Sequence, residues 1–186
     1  MVVHCVIRHF KTLKGTEQIN YTDSYSEAEP YIKKLKELIN DNKIELVKIK
    51  SSPQDRAILT SLILYIKLKD ILTQNSIKIV KPEVEKYLDR DPSKKNTEKI
   101  KQFFIKYCSK KSKSEKVIVI NITHSSVYHT VYKAMFDGMT GKNNKEPKKT
   151  HIHGNSISYI EYINDKTVNW EFNIPMGEID DKKYNL

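Results

Sequence analysis

The stretch that decides the fold is VVHCVIRH, at residues 2–9. It is a short apolar run rich in β-branched residues, which predicts a buried strand at the start of an α/β sheet. Arg8 and His9 stand at its carboxyl end, where ligands bind in open α/β sheets. An arginine there can hold an anion in a planar fork, and a histidine can attack or titrate. The alternative is a strand that stops at two solvated polar residues. The case for a functional site therefore depends on further polar residues elsewhere in the chain that could join Arg8 and His9.

A second informative stretch, SSPQDR at 51–56, follows another predicted strand. Ser52 suits the N-cap of a helix, Pro53 its first position, and Asp55 a capping box-like start. Arg56 is therefore predicted in the first turn of a helix, near the edge at which the first strand ends. The helix dipole disfavours an arginine at this position, and a bound anion would relieve the repulsion. Pairing of Arg56 with Asp55 is the alternative.

A third stretch, VIVI at 117–120, is a continuous apolar run of the kind found in central strands that are buried on both faces. It leads into Thr123-His124-Ser125, where a helix is predicted to begin. Backbone N–H groups at the start of a helix can bind an anion. His124 is thus a further polar side chain at a strand end.

The predicted elements follow the order β-α-β-α-β-α-β-α-β-β, which indicates an α/β protein. We expect a three-layer α/β/α fold with a mostly parallel central sheet and an antiparallel edge or hairpin. The length favours one domain, at 1–175, followed by a charged C-terminal tail at 176–186. The predicted strands lie at 2–9, 44–49, 77–80, 116–122, 156–163 and 167–173, and the predicted helices at 28–40, 53–72, 96–109 and 126–139.

Lysine dominates the charge of the chain. The formal net charge is +10, and arginine occurs only at positions 8, 56 and 90. Dispersed lysine is typical of a solvated surface, so a nucleic acid is not the expected partner, although the charge can draw in an anionic substrate. A basic nucleic-acid-binding protein is an alternative that rests on net charge alone. In such a chain each arginine is a candidate for two-point oxyanion binding, which lysine does badly.

Other features of the sequence argue against a membrane protein, a secreted protein and a metal site. The longest apolar stretch, 57–66, is too short to span a bilayer, and the N-terminal run is too short for a signal peptide. Cys5 and Cys108 have no metal-ligand spacing, so we expect reduced thiols in a cytoplasmic protein with no membrane partner. His151 and His153 lack a clear third ligand, so we expect neither a metal nor a cofactor.

Three motifs in this order resemble those of the histidine phosphatase superfamily, which includes the cofactor-dependent phosphoglycerate mutases. RHFKT at 8–12 resembles the family's Arg-His-Gly-x-Thr motif, and SSPQDRAILT at 51–60 resembles its Ser-Ser-Pro-x-x-Arg-Ala-x-x-Thr motif. The strand that leads into His124 resembles the one that ends in the family's second histidine. Asn155-Ser156-Ile157 and Trp170 resemble parts of its C-terminal hairpin. The likeness runs from residue 2 to residue 174 and implies a phosphoglycerate mutase-like fold.

The resemblance also implies roles for the residues of the predicted site. His9 would be the nucleophile that becomes phosphohistidine. The phosphoryl oxygens would be bound by the side chains of Arg8, Arg56 and His124, assisted by the backbone N–H of Ser125.

The general acid and residue 10 are the points at which the match to the family is weakest. The family's acid lies in the loop after the third strand, where an ungapped match favours Glu85, with Glu83 second. Both glutamates are also compatible with solvated loop charges. Phe10 stands where the family usually has glycine, which allows close backbone packing beside the nucleophile. Its ring has to point away from the pocket or narrow it.

The predicted function is metal-independent hydrolysis of a phosphomonoester, either a small phosphorylated substrate or a phosphoprotein. The chain lacks the long insertions of the glycolytic mutases, which favours hydrolysis over mutase-type phosphotransfer. A phosphate-binding or interaction module of the same fold, with little or no activity, is the alternative that Phe10 and the acid motivate. The sequence makes no prediction of oligomeric state.

Overall fold

The computed structural model describes residues 1–10, 18, 21–90, 98–102, 116–140, 155–163 and 166–176. The helices are α1 (Tyr21–Asp41), α2 (Asp55–Gln74) and α3 (Ser125–Thr140), and residues 98–102 are also helical. A 3-10 turn, Lys86–Leu88, follows the fourth strand. The strands are β1 (Val2–Arg8), β2 (Leu46–Ser51), β3 (Lys78–Ile79), β4 (Glu83–Val84), β5 (Val117–Thr123), β6 (Ser156–Ile163) and β7 (Lys166–Pro175).

The strands form one sheet in the order β3-β2-β5-β1-β6-β7, and β4 also pairs with β2. The pairings among β1 to β5 are all parallel, whereas β6 runs antiparallel to β1 and β7 antiparallel to β6. β5 lies at the centre and every one of its residues is buried, as its unbroken apolar run predicts. The predicted mostly parallel sheet with an antiparallel hairpin at its edge is confirmed.

The helices cover both faces of this sheet. Successive side chains of a strand point to opposite faces. In β1, Cys5 and Ile7 therefore pack into the core beneath α1 and α2, whereas Val6 packs into a second core with α3 residues such as Tyr128. The three-layer α/β/α arrangement is confirmed.

The start of α1 differs from the prediction. The helix begins at Tyr21, upstream of the predicted start at residue 28, and it continues through Pro30. A proline lacks a backbone N–H, so the helix omits one hydrogen bond there. Serine is typical of helix N-caps, so Ser26 and Glu27 predict a helix start, but in the structure both residues lie inside α1.

The start of α2 also differs. The helix begins at Asp55 and its N-cap is Gln54, not Ser52. Ser52 instead extends the sheet, because its backbone N–H donates to the carbonyl of Ile122 at 3.0 Å. Arg56 is still in the first turn, as predicted.

Several predictions fall on residues outside the described ranges. These are most of the predicted helix at 96–109, Cys108, the pair His151 and His153, and nearly all of the tail at 176–186. The single-domain boundary at residue 175 stays a prediction. No helix in the described parts of the chain is long and apolar enough to cross a membrane.

Candidate active site

The ends of three neighbouring strands meet at one edge of the sheet. In the order β2-β5-β1, the last residues of the strands lie side by side, with Arg8 in register with Thr123. The pairing continues one step past β1, because the backbone N–H of His9 donates to the Thr123 carbonyl at 3.0 Å. Since Ser52 continues β2 in the same way, the residues that follow all three strands converge: His9, Ser52 and His124.

The ring of His9 is oriented by its neighbour in the chain. Its Nδ1 lies 2.7 Å from the carbonyl oxygen of Phe10. A carbonyl only accepts hydrogen bonds, so Nδ1 carries the proton. In the neutral ring, Nε2 then holds the lone pair, which makes it the nucleophilic atom.

The surroundings of His9 keep its ring neutral. The pKa of His9 is lowered to about 3, chiefly by burial, while the hydrogen bond to Phe10 acts in the opposite direction. Nearby basic side chains lower this pKa further; they are Arg8, Arg56 and His124. These three side chains therefore lie near enough to His9 to act on it electrostatically.

His124 lies beside His9 and is held by a serine. The centroids of the two imidazole rings are 5.0 Å apart. His124 Nε2 lies 2.8 Å from Ser52 Oγ, and both residues are buried. Ser125 is the first residue of α3, where backbone N–H groups have no partner within the helix. That position is the one an anion-binding N–H requires.

Phe10 points away from the edge that carries these residues. Its side chain is fully buried in the core beneath α1 and α2, with its ring 5.4 Å from that of Tyr31. Its backbone N–H donates to Thr60 Oγ1 at 3.0 Å, and Thr60 Oγ1 donates to the carbonyl of Arg56 at 2.7 Å. The phenyl ring is therefore part of the core, and the backbone beside His9 is connected to the first turn of α2.

The candidate acid Glu85 reaches the same edge through its backbone. Its N–H donates to the carbonyl of Ser51 at 2.7 Å. Its carboxylate, however, lies 2.6 Å from the buried ammonium of Lys50, whereas Glu83 is 4.0 Å from that ammonium. The Glu83 side chain is 60% exposed and that of Glu85 26%. Of the two glutamates, Glu85 is the more enclosed, and Lys50 sets its direction.

Sequence reasoning missed two residues that contact Arg56 directly or indirectly. Arg56 Nη2 donates to Gln54 Oε1 at 2.7 Å, and Gln54 Nε2 donates to Asp89 Oδ1 at 2.9 Å. The contact between Gln54 and Asp89 joins residues 35 positions apart, so no periodic pattern in the sequence predicts it. Within the described ranges, no three His, Cys, Asp or Glu side chains are grouped as a metal site would need.

No protein-family model matches this sequence, and no curated protein matches it. Solved structures match over most of their length. The protein histidine phosphatase SixA, in complex with tungstate, has a TM-score of 0.52 at 12% identity, covering 91% of this chain and 94% of its own. A mycobacterial glucosyl-3-phosphoglycerate phosphatase has a TM-score of 0.51 at 10% identity, and the match covers 95% of this chain and 99% of the phosphatase. Phosphoglycerate mutase from Plasmodium falciparum has a TM-score of 0.50 at 16% identity, and the match covers 87% of this chain and 86% of the mutase.

At such identities the likeness shows the fold. The resemblance stated from the three motifs is confirmed at this level, and the fold is phosphoglycerate mutase-like.

Proposed function

We propose that this chain, which has the fold of the histidine phosphatases, is a metal-independent phosphatase that works through a phosphohistidine on His9. One observation carries the proposal. The Nδ1 proton of His9 is engaged with the Phe10 carbonyl, which leaves the Nε2 lone pair available among the basic side chains of Arg8, Arg56 and His124. A nucleophile beside two guanidinium groups suits attack on a phosphate dianion.

In the first step, the arginines and His124 bind the phosphoryl oxygens, with help from the Ser125 N–H. His9 Nε2 forms a bond to phosphorus, and the P–O bond of the ester breaks with its electron pair on the leaving oxygen. That oxygen takes a proton from a general acid, for which we propose Glu85. The Phe10 carbonyl, which accepts from Nδ1, stabilises the positive charge that develops on the imidazole ring.

In the second step, water attacks phosphorus and the N–P bond breaks. The conjugate base of the acid accepts the proton of the water, so that His9 returns to its neutral form and inorganic phosphate leaves. Each proton given up in the first step is thereby recovered. No step requires a metal, and the proposed substrate is a small phosphorylated compound or a phosphoprotein.

A phosphate-binding module with little turnover is the second candidate, and the contact between Glu85 and Lys50 favours it. An ammonium 2.6 Å from the carboxylate competes with a leaving group for that carboxylate. The dianion site would then still bind phosphate, while proton delivery would be poor.

The role of Glu85 can be tested by changing the leaving group. We expect Glu85→Gln to lower kcat/KM about 100-fold for an alkyl phosphate, within the usual range for loss of an acid or base. An activated aryl phosphate should be affected little, because its leaving oxygen needs no proton. Glu83→Gln is the matched control and should leave both substrates near wild type. An equal loss for both substrates, or a larger loss in Glu83→Gln, would contradict the assignment.

The function itself is tested by assaying the full chain with a chromogenic aryl phosphate in the presence of EDTA. Turnover that EDTA leaves unchanged is the expected result. Loss of turnover in EDTA, restored by zinc or magnesium, would overturn the metal-independent mechanism. Phosphate binding without turnover on a panel of phosphometabolites and phosphopeptides would support the second candidate, and a salt-dependent shift of random oligonucleotides would support nucleic-acid binding.

A further inference from the structure

We propose that Gln54 is a positioning residue which, together with Asp89, holds the guanidinium of Arg56 in the orientation that grips an oxyanion. This inference rests on the proposed function only for the identity of the ligand, a phosphoryl or phosphate anion. We call the three hydrogen-bonded side chains of Arg56, Gln54 and Asp89 the amide strap.

The amide strap has a defined polarity. Arg56 donates to the amide oxygen of Gln54, and the amide nitrogen of Gln54 donates to Asp89, at 2.7 and 2.9 Å. A guanidinium has only donors and a carboxylate only acceptors, so a single orientation of the amide satisfies both ends. The Gln54 side chain is therefore held at both its oxygen and its nitrogen.

The Gln54 side chain takes no part in capping the helix. Gln54 is the N-cap of α2, a position at which a short side chain normally accepts a backbone N–H. Its own side chain makes no capping hydrogen bond. Only its backbone carbonyl closes the first turn, by accepting from the N–H groups of Ala57 and Ile58 at 2.8 and 3.0 Å. The contact with Arg56 thus accounts for the amide better than helix stability does.

The far end of the amide strap is anchored to the edge of the sheet. Asp89 Oδ1 also accepts from the backbone N–H of Arg90 at 2.7 Å. The turn just before Asp89 is attached to β5, because Thr123 Oγ1 donates to the carbonyl of Leu88 at 2.7 Å. Thr123 directly precedes His124. Asp89 therefore holds Gln54 from a segment that is hydrogen-bonded to the end of β5, beside the candidate site.

A held guanidinium binds an anion more tightly than a mobile one. Arginine loses much rotamer freedom when it is fixed, and that loss opposes binding if it occurs when the ligand arrives. Arg56 is buried and already oriented by Gln54, so a smaller part of the loss accompanies binding. Because the guanidinium is planar, fixing the direction of Nη2 also fixes the direction of its other N–H groups.

The test is Gln54→Ser in the full chain, with inorganic phosphate as the probe and calorimetry and thermal unfolding as readouts. Serine is a better N-cap than glutamine but cannot reach Arg56 and Asp89 together. We expect phosphate binding to weaken about 10-fold, the scale of a hydrogen bond to a charged group, with an unfolding temperature equal to or above that of wild type. A role of Gln54 in helix stability alone predicts unchanged phosphate affinity, and that result would overturn the inference.

Asp89→Asn is the matched control, because its amide oxygen can still accept from Gln54 Nε2. We expect its phosphate affinity to stay within about threefold of wild type, whereas Asp89→Ala should match Gln54→Ser. Equal affinities of Asp89→Ala and wild type would overturn the inference. A wild-type chain that does not bind phosphate would overturn the proposed function as well, whereas binding that is insensitive to residues 54 and 89 would overturn the amide strap alone.

Discussion

Replacing His9 by alanine should abolish turnover and the phosphoenzyme together, while the protein stays folded. Removal of a catalytic nucleophile typically lowers kcat by more than about 10³-fold, and here no second group can form the intermediate if the assignment is right. The fold should survive, because the sheet pairing of residue 9 uses its backbone N–H, which alanine retains. His124→Ala should differ in kind: it removes an oxyanion donor, which lowers the rate about 10- to 1000-fold but leaves the nucleophile able to accept label.

Labelling distinguishes the two histidines. After incubation with a labelled phosphodonor and an acid-free quench, the phosphate should be acid-labile and base-stable. Trypsin cleaves after Arg8 and Lys11, which separates His9 from His4 and from the peptide that carries His124. Label should be found with His9. Label on the His124 peptide, or a His9→Ala protein that still turns over, would show that the roles are wrong even if the protein is a phosphatase.

The second large effect is expected for Arg56→Lys. Lysine retains the charge but loses the planar two-point grip on an oxyanion. It also cannot satisfy Gln54 and a phosphate with the same fixed geometry. We expect kcat/KM to fall about 10- to 1000-fold, roughly 1.4–4 kcal/mol, the scale of a removed oxyanion donor.

The helix should be unaffected by this substitution, because the Gln54 carbonyl, not the Arg56 side chain, closes the first turn of α2. Thermal unfolding checks this point. Arg90→Lys is the matched control, since Arg90 lies just past the Lys86–Leu88 turn with an exposed side chain. Its activity should be near wild type. Near-normal activity of Arg56→Lys would mean that Arg56 does not bind the phosphoryl group.

The contact between Glu85 and Lys50 bears on both results. If poor proton delivery keeps turnover low in the wild-type chain, the substitutions at His9 and Arg56 can still be compared by their effects on phosphate binding. Measuring phosphate affinity beside kcat/KM therefore separates a weak catalyst from a disrupted binding site.

The amino-acid sequence by itself determined the layers of the fold and the edge at which the candidate site lies. Apolar runs such as VIVI at 117–120 predict central strands, and parallel strands place their carboxyl ends together. A polar residue that follows such a run is thus brought near the others by topology alone. This is why His9, His124 and Arg56 could be placed before any side-chain contact was known.

The tertiary structure decided what local pattern does not encode. It set the direction of the Phe10 ring, which follows from the space beneath α1 that Tyr31 also fills. It paired Glu85 with Lys50 and Gln54 with Asp89, because β4 pairs with the end of β2 and the turn after β4 contacts β5. These contacts join residues about 35 positions apart, and they depend on how the loop after β3 is folded. Hydrophobic periodicity reports which face of an element is buried, but not which polar side chains meet across two elements.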